Sequence, residues 1–221
     1  LATTRLTDDP DQVAAVAALA DAGVRAGVGV LAGGPGTGKT TTVAALLAAR
    51  LEADDTARVA LAAPTGKAAA RLTESLRAAL PRIAEVHGEQ VAARLAPLEA
   101  TTVHRLLGIG RDGVRRDDGP LPHDLVVVDE ASMLALPLAA TLLEALEDRT
   151  QLVLVGDPDQ LESVETGSVL RALVDTLPER GPLAHLTVNH RLAAADARVD
   201  ELAEPGVGGR TAKRVHGQVE L

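Results

Sequence analysis

The 221-residue sequence contains no cysteine, phenylalanine, tyrosine or tryptophan, and a single methionine. Without thiols it has neither disulfide staples nor thiolate metal sites, and a reducing cytoplasm is its expected home. Without aromatic rings its core must be packed from Leu, Val, Ala and Ile. It also has no ring to stack on a nucleic-acid base, a contact normally worth about 1–3 kcal/mol per base. Long hydrophobic runs are lacking as well. The apolar stretches are alanine-rich and interrupted, so no membrane span is expected. The opening "LATTRLTDDP" lacks a charged start followed by an apolar stretch, so no signal peptide is expected. Positive charge is the scarcer sign, with 22 Lys and Arg against 31 Asp and Glu, a net charge of −9. That balance gives no support to nucleic-acid binding, although a basic groove can sit on an acidic protein.

What is present is a strict alternation of short strands and helices. "DDPDQVAAVAALADAG" reads as a helix with Asp9 as N-cap, Pro10 in the first turn and Gly23 at its end. "VGVLAG" reads as a buried strand and "GKTTTVAALLAARLEA" as the next helix. "ARVALAAP" is a second strand, and "TGKAAARLTESLRAAL" a helix that Pro81 should stop. Residues 82–100 are weakly helical in pattern. "DLVVVDE" is a third strand, whose valine run suits burial on both faces. "LPLAATLLEALED", "QLVLVGD", "TGSVLRALVDTL" and "LAHLTVNH" follow as helix, strand, helix and strand. Such alternation predicts an α/β domain, a parallel sheet with helices on both faces. Between them, "GRDGVRRDDGPLPHD" reads as a surface loop or hairpin. Residues 1–203 form the expected domain, and 204–221 a linker or the start of a further one.

Gly33-Gly34-Pro35-Gly36-Thr37-Gly38-Lys39-Thr40 matches G-x-x-x-x-G-K-S/T between a strand and a helix. Glycines let the backbone curl until several N–H groups point at one anion, and the helix N-terminus adds its dipole. A lysine in this place reaches the β- and γ-phosphates, and the Thr40 hydroxyl can ligate Mg²⁺. Asp129 and Glu130 end the valine strand. One carboxylate can hold a metal shell while the next takes a proton from water; the same pair could instead cap the following helix. Gln160 follows the "LVLVG" strand. In a parallel sheet the C-terminal strand ends share one edge, so Gln160 would arrive beside the phosphates, where an amide can bond a γ-phosphate oxygen and the attacking water. By spacing alone it could equally face solvent.

Taken together, "GGPGTGKTTTVAALLA", "LAAPTGKAAARLTESL", "TTVHRLLG", "VVVDEASML", "LVGDPDQLESVETGSVL" and "LTVNHRL" resemble, in this order, the first motor domain of the RecD family of superfamily 1 DNA helicases. The resemblance covers about residues 10–200. It implies a RecA-like P-loop NTPase domain, of a 5′→3′ helicase acting in double-strand-break repair and recombination as part of the RecBCD enzyme (exodeoxyribonuclease V). It implies ATP and Mg²⁺ as cofactors, DNA as substrate and RecB-like and RecC-like partners. It further implies nucleotide contacts from Gln12 and from Gly33, Gly34, Pro35, Gly36, Thr37, Gly38, Lys39, Thr40 and Thr41. Thr40 and Asp129 would hold the metal, and Lys39, Glu130, Gln160 and Arg191 would serve hydrolysis. Pro64, Thr65, Gly66, Lys67, Thr102 and His104 would face DNA, with Arg105 beside them. A hydroxyl, glycine N–H groups and a helix N-terminus do form a phosphate site that reads no base.

Other readings stay open. His104 could be a buried core histidine. Arg71, Arg77 and Arg82 fit a solvated helix face better than a DNA contact. The chain could be a P-loop switch or kinase that never meets DNA, part of a stand-alone RecD-like helicase outside a RecBCD complex, or a scaffold. Leu192 stands where the family has an aromatic residue, and the second motor domain lies outside the match. The chain by itself is expected to bind ATP, hydrolyse it slowly and hold a strand poorly.

Overall fold

The computed structural model describes residues 6–22, 27–110, 119–160, 169–176 and 182–188. Its elements run α1 (Pro10–Ala22), β1 (Gly27–Gly33), α2 (Lys39–Ala53), β2 (Val59–Ala63), α3 (Gly66–His87), α4 (Glu89–Leu95), β3 (Thr101–Thr102), α5 (Val103–Leu106), β4 (Leu125–Val128), α6 (Leu136–Glu144), β5 (Gln151–Gly156), α7 (Val169–Thr176) and β6 (Leu183–Leu186). A 3₁₀ turn spans Ala131–Met133 between β4 and α6. The strands form one sheet in the order β3-β2-β4-β5-β1-β6. Every pairing is parallel.

Parallel strands need crossovers, and the helices supply them on both faces. The strand residues alternate between two cores. Leu31, Leu125, Val127, Val153 and Val155 pack on the side of α1–α4. Val30, Ala32, Val126, Val128, Leu152 and Leu154 pack on the opposite side, with residues of α5, α6 and α7. The continuous valine and leucine runs are thus explained: every position of β4 and β5 is buried. The want of aromatic rings is met by close layers. Ala44, Ala45 and Ala48 on α2 and Ala62 and Ala63 on β2 are almost fully buried, so small side chains let helix and sheet approach.

Local signals hold at most ends. Asp9 Oδ1 accepts the Asp11 N–H (2.8 Å) and the Gln12 N–H (3.3 Å), as a helix cap does. Thr65 caps α3 in the same way, accepting the Ala68 N–H at 3.2 Å. Two expectations need correction. Pro81 does not stop α3, which runs on through it to His87. An interior proline costs about 3 kcal/mol. Here Pro81 is exposed, while Ile83, fully buried, anchors the next turn in the core. Burial overrides the breaker. The second correction is a sixth strand: Thr101–Thr102 pairs with Ala62–Ala63, and two residues are too short a run to show any period. The "GRDGVRRDDG" loop lies mostly outside the described residues, as do 204–221.

At the far edge of the sheet, Asp124 ties the starts of β2 and β4 together. Its Oδ2 accepts the Arg58 backbone N–H at 2.8 Å and faces the Arg58 guanidinium at 3.4 Å. The Arg58 N–H bond, foremost, holds the Asp124 carboxyl below the ordinary carboxylate range. A depressed carboxylate stabilises the fold above its unfolded value, and that stability is lost as pH falls through the folded one. Asp124→Asn should therefore cost about 1 kcal/mol at pH 7. Urea midpoints of the two proteins should converge as pH drops below about 4.

Candidate functional site

The C-terminal strand ends collect the sequence-predicted residues along one edge, as a parallel sheet requires. The glycine loop follows β1, Asp129 and Glu130 follow β4, and Gln160 stands beyond β5. Strand order makes these neighbours, since β5 lies between β4 and β1. The loops after β2 and β3 lie at one end of the same edge.

The loop between β1 and α2 is shaped by Gly36 (φ 82°) and Gly38 (φ 85°), in the left-handed region that glycine alone enters freely. Gly38 leads directly into the 15-residue α2, so the loop crosses that helix's N-terminus. Lys39 Nζ donates to the carbonyls of Gly33 (2.6 Å) and Gly34 (2.9 Å), and Thr37 Oγ1 donates to Gly34 (2.9 Å). Thr40 is half-buried and Thr41 exposed in the first turn, while Pro35 is exposed at the rim. Gln12 comes from α1 and is 3% exposed. Its Nε2 donates to the Thr37 carbonyl at 3.3 Å, which binds the first helix to the loop.

This packing sets a prediction. A Cβ on Gly38 would sit 2.2 Å from Gln12 Nε2, in a conformation that L side chains avoid. Gly38→Ala should cost about 2–3 kcal/mol, from left-handed strain plus a displaced hydrogen bond, and weaken nucleotide binding at least about ten-fold. Denaturant melts and nucleotide titration check it.

Across the edge, Asp129 Oδ1 accepts the Glu130 N–H at 2.9 Å. Burial pushes the Asp129 carboxyl above its ordinary value, eased by that N–H, raised further by the Glu130 charge and lowered by the Lys39 ammonium. Glu130 has φ 53°, and no other non-glycine among the described residues has a positive φ. The left-handed backbone costs about 1–2 kcal/mol at a residue with a side chain. Among the described residues no group of three or more His, Cys, Asp or Glu stands ready for a metal. Thr40 and Asp129 suit a Mg²⁺ ion that takes its other ligands from phosphate and water.

Gln160 is exposed, at the end of a braced turn. Asp157 Oδ1 accepts the Asp159 N–H, the Asp157 carbonyl accepts the Gln160 N–H, and Arg171 of α7 bonds the Pro158 carbonyl and Asp159. Its side chain is engaged: Ser132 Oγ donates to Gln160 Oε1 at 3.1 Å. Sequence reasoning missed Ser132 and also Gly156. A Cβ on Gly156 would lie 3.2 Å from the Ser132 nitrogen and 3.3 Å from that of Ala131. A glycine closing a buried strand signals such an approach; a serine two residues past an acidic pair carries no signal.

At the other end, Thr65, Gly66 and Lys67 are exposed and Pro64 half-buried. Thr102 caps α5, accepting the Arg105 N–H at 3.2 Å. A cleft of about 350 Å³ opens between α3 and β3–α5, lined by Gly66, Thr73, Arg77, Thr102 and Arg105 among others. His104 is exposed, which removes the buried-core alternative. Arg77 pairs on the surface with Glu99, Arg82 bonds the Leu6 carbonyl and Arg71 is exposed, so this face is solvated as expected. Arg191 lies outside the described residues.

A family model described as an AAA domain matches residues 13–166, more than half of the sequence. The chain belongs to the AAA domain family. Within this AAA domain the matched stretch takes in the glycine loop, the acidic pair and Gln160. Similar proteins bear out the RecD resemblance. The RecBCD enzyme subunit RecD of Mycolicibacterium smegmatis is 52% identical over 75% of this chain and 30% of its own length. That of Mycobacterium tuberculosis H37Rv is 48% identical over 82% of the chain and 32% of its length. The ATP-dependent RecD2 DNA helicase of Deinococcus radiodurans is 42% identical over 75% and 20%. The chain thus spans under a third of the length of these relatives. Among solved structures, Pif1 helicase from Candida albicans has a TM-score of 0.54 at 18% identity, covering 89% of this chain and 43% of that one. The HK97 bacteriophage large terminase has a TM-score of 0.53 at 13% identity, covering 82% and 39%. The AAA domain here has the RecA-like P-loop arrangement. Among the described residues no helix is long and apolar enough to cross a membrane.

Proposed function

We propose that this chain is the ATP-binding motor domain of a RecD-type DNA helicase, a cytoplasmic enzyme that moves 5′→3′ along single-stranded DNA. It would work in double-strand-break repair beside RecB-like and RecC-like subunits. One observation carries the reading. A single sheet edge holds a phosphate cradle with an acidic pair opposite it, and the Thr65–Lys67 turn and Thr102 at its other end. The Thr65–Lys67 turn at that second end argues against a nucleotide switch or small-molecule kinase that never meets DNA.

In this reading the backbone of Gly33–Thr41 and the Lys39 ammonium grip the triphosphate, and Gln12 contacts the base. Thr40 and Asp129 would hold Mg²⁺, which would neutralise phosphate charge when bound. Ionised Asp129 is costly in its buried site, so a cation there offsets the burial. Glu130 takes the proton of the attacking water. Gln160 senses the γ-phosphate, and Arg191 would stabilise charge on it. The proposed domain spans residues 1–203. Pro64, Thr65, Gly66, Lys67, Thr102 and His104 hold the strand by its backbone. With no aromatic residue to stack bases, such contacts are electrostatic and weaken with salt.

The test measures release of a fluorescent ATP analogue with and without a single-stranded oligonucleotide. The oligonucleotide should change the off-rate at least about two-fold at low salt, with the effect fading as salt rises. An off-rate indifferent to DNA at every salt concentration favours the switch reading.

A further inference from the structure

Gln160 carries the coupling role in the proposed mechanism, yet a terminal amide can turn about its last bond and offer either face. Something must fix it. Ser132 lies two residues past Glu130 in the 3₁₀ turn that follows β4, and it is 3% exposed. Its Oγ donates to Gln160 Oε1 at 3.1 Å, across 28 positions of sequence. The turn itself is held against β5. Gly156 has no Cβ, and the backbone nitrogens of Ala131 and Ser132 occupy the space around the place where one would stand. Leu170 of α7 fills the same place from the other side, its Cδ2 2.7 Å from that position. The far end of the Gln160 turn is fixed by Arg171, also of α7.

The geometry points to Ser132 as the positioning residue for Gln160: it occupies the amide oxygen and so leaves the Nε2 hydrogens as the face shown to the γ-phosphate. A donor on that side suits an anionic oxygen, and the opposite orientation would present a carbonyl to it. The bond also joins the carboxylate-bearing turn to the sensing turn directly. A shift of Glu130 would reach Gln160 through two residues of backbone and one hydrogen bond. The inference rests on the proposed ATP site and adds to it the residue that sets the sensor's polarity.

The experiment compares affinities of the chain for ADP and for AMP-PNP by calorimetry in Mg²⁺ buffer, for the unaltered chain, Ser132→Ala, Gln160→Ala and the double variant. A thermal melt of each confirms folding. The expected result is a preference for AMP-PNP in the unaltered chain that falls about three- to ten-fold in each single variant, the net value of one ordinary hydrogen bond at an exposed side chain. ADP affinity should hold, and the double variant should fall no further than Gln160→Ala, because both changes remove one device. Lost packing alone would lower both affinities together and leave the preference intact. Four results overturn the inference: a preference untouched by Ser132→Ala, a preference untouched by Gln160→Ala, multiplying effects in the double variant, or no preference in the unaltered chain. Failure of the unaltered chain to bind either nucleotide overturns the proposed ATP site as well, which separates the two.

Discussion

Glu130→Gln should leave ATP binding within about two-fold of the unaltered chain and lower hydrolysis by about 10²- to 10⁴-fold, the span of a positioned general base. The amide keeps the size and the hydrogen-bonding reach of the carboxylate but cannot take a proton. Glu130 stands just past β4 with a left-handed backbone, φ 53°. The signature is therefore a trapped complex, with tight nucleotide and almost no phosphate release. A phosphate-release assay run beside nucleotide titration checks it. Turnover within a factor of ten of the unaltered chain would move the general base elsewhere.

Lys39→Gln should have the opposite signature, losing binding and turnover together. Lys39 is the cation at the mouth of the loop, with Nζ 2.6 Å and 2.9 Å from two loop carbonyls. Those carbonyls are weak partners beside a triphosphate, so the ammonium can transfer to it. Glutamine retains a donor for the carbonyls and loses the charge. Loss of one such electrostatic clamp in a site of this kind costs about 10²- to 10³-fold in rate, and part of that should be visible as weaker binding. In the intact protein, on the proposed helicase reading, the same change should abolish unwinding. Gel-based unwinding and calorimetry with ATP-Mg²⁺ read the two effects. A variant that still unwinds would show that the cradle is assigned to the wrong loop.

In the proposed site the two residues reach the nucleotide from different elements. Lys39 rises from the start of α2 and Glu130 leaves the end of β4, with β5 between β4 and β1 in the sheet. In the proposed mechanism Lys39 holds the triphosphate from binding onward, whereas Glu130 acts only as water attacks the γ-phosphate.

Sequence alone determined everything that short-range chemistry dictates. The glycine loop announces itself because several left-handed and close-packed positions in eight residues admit little else. Asp9 and Thr65 announce helix starts because a cap is a bond three residues long. The valine and leucine runs announce strands buried on both faces, and their alternation with helices announces a parallel sheet. Only the tertiary structure decided what stands beside what. Pro81 passes through α3 because Ile83 is held by a core no window around it reveals. Ser132 meets Gln160 because the sheet order β3-β2-β4-β5-β1-β6 is not the chain order. Local propensity reaches a few residues along the chain, whereas those contacts join turns separated by dozens of residues. They are fixed by which hydrophobic faces close on one another, and that is a property of the whole packed sheet.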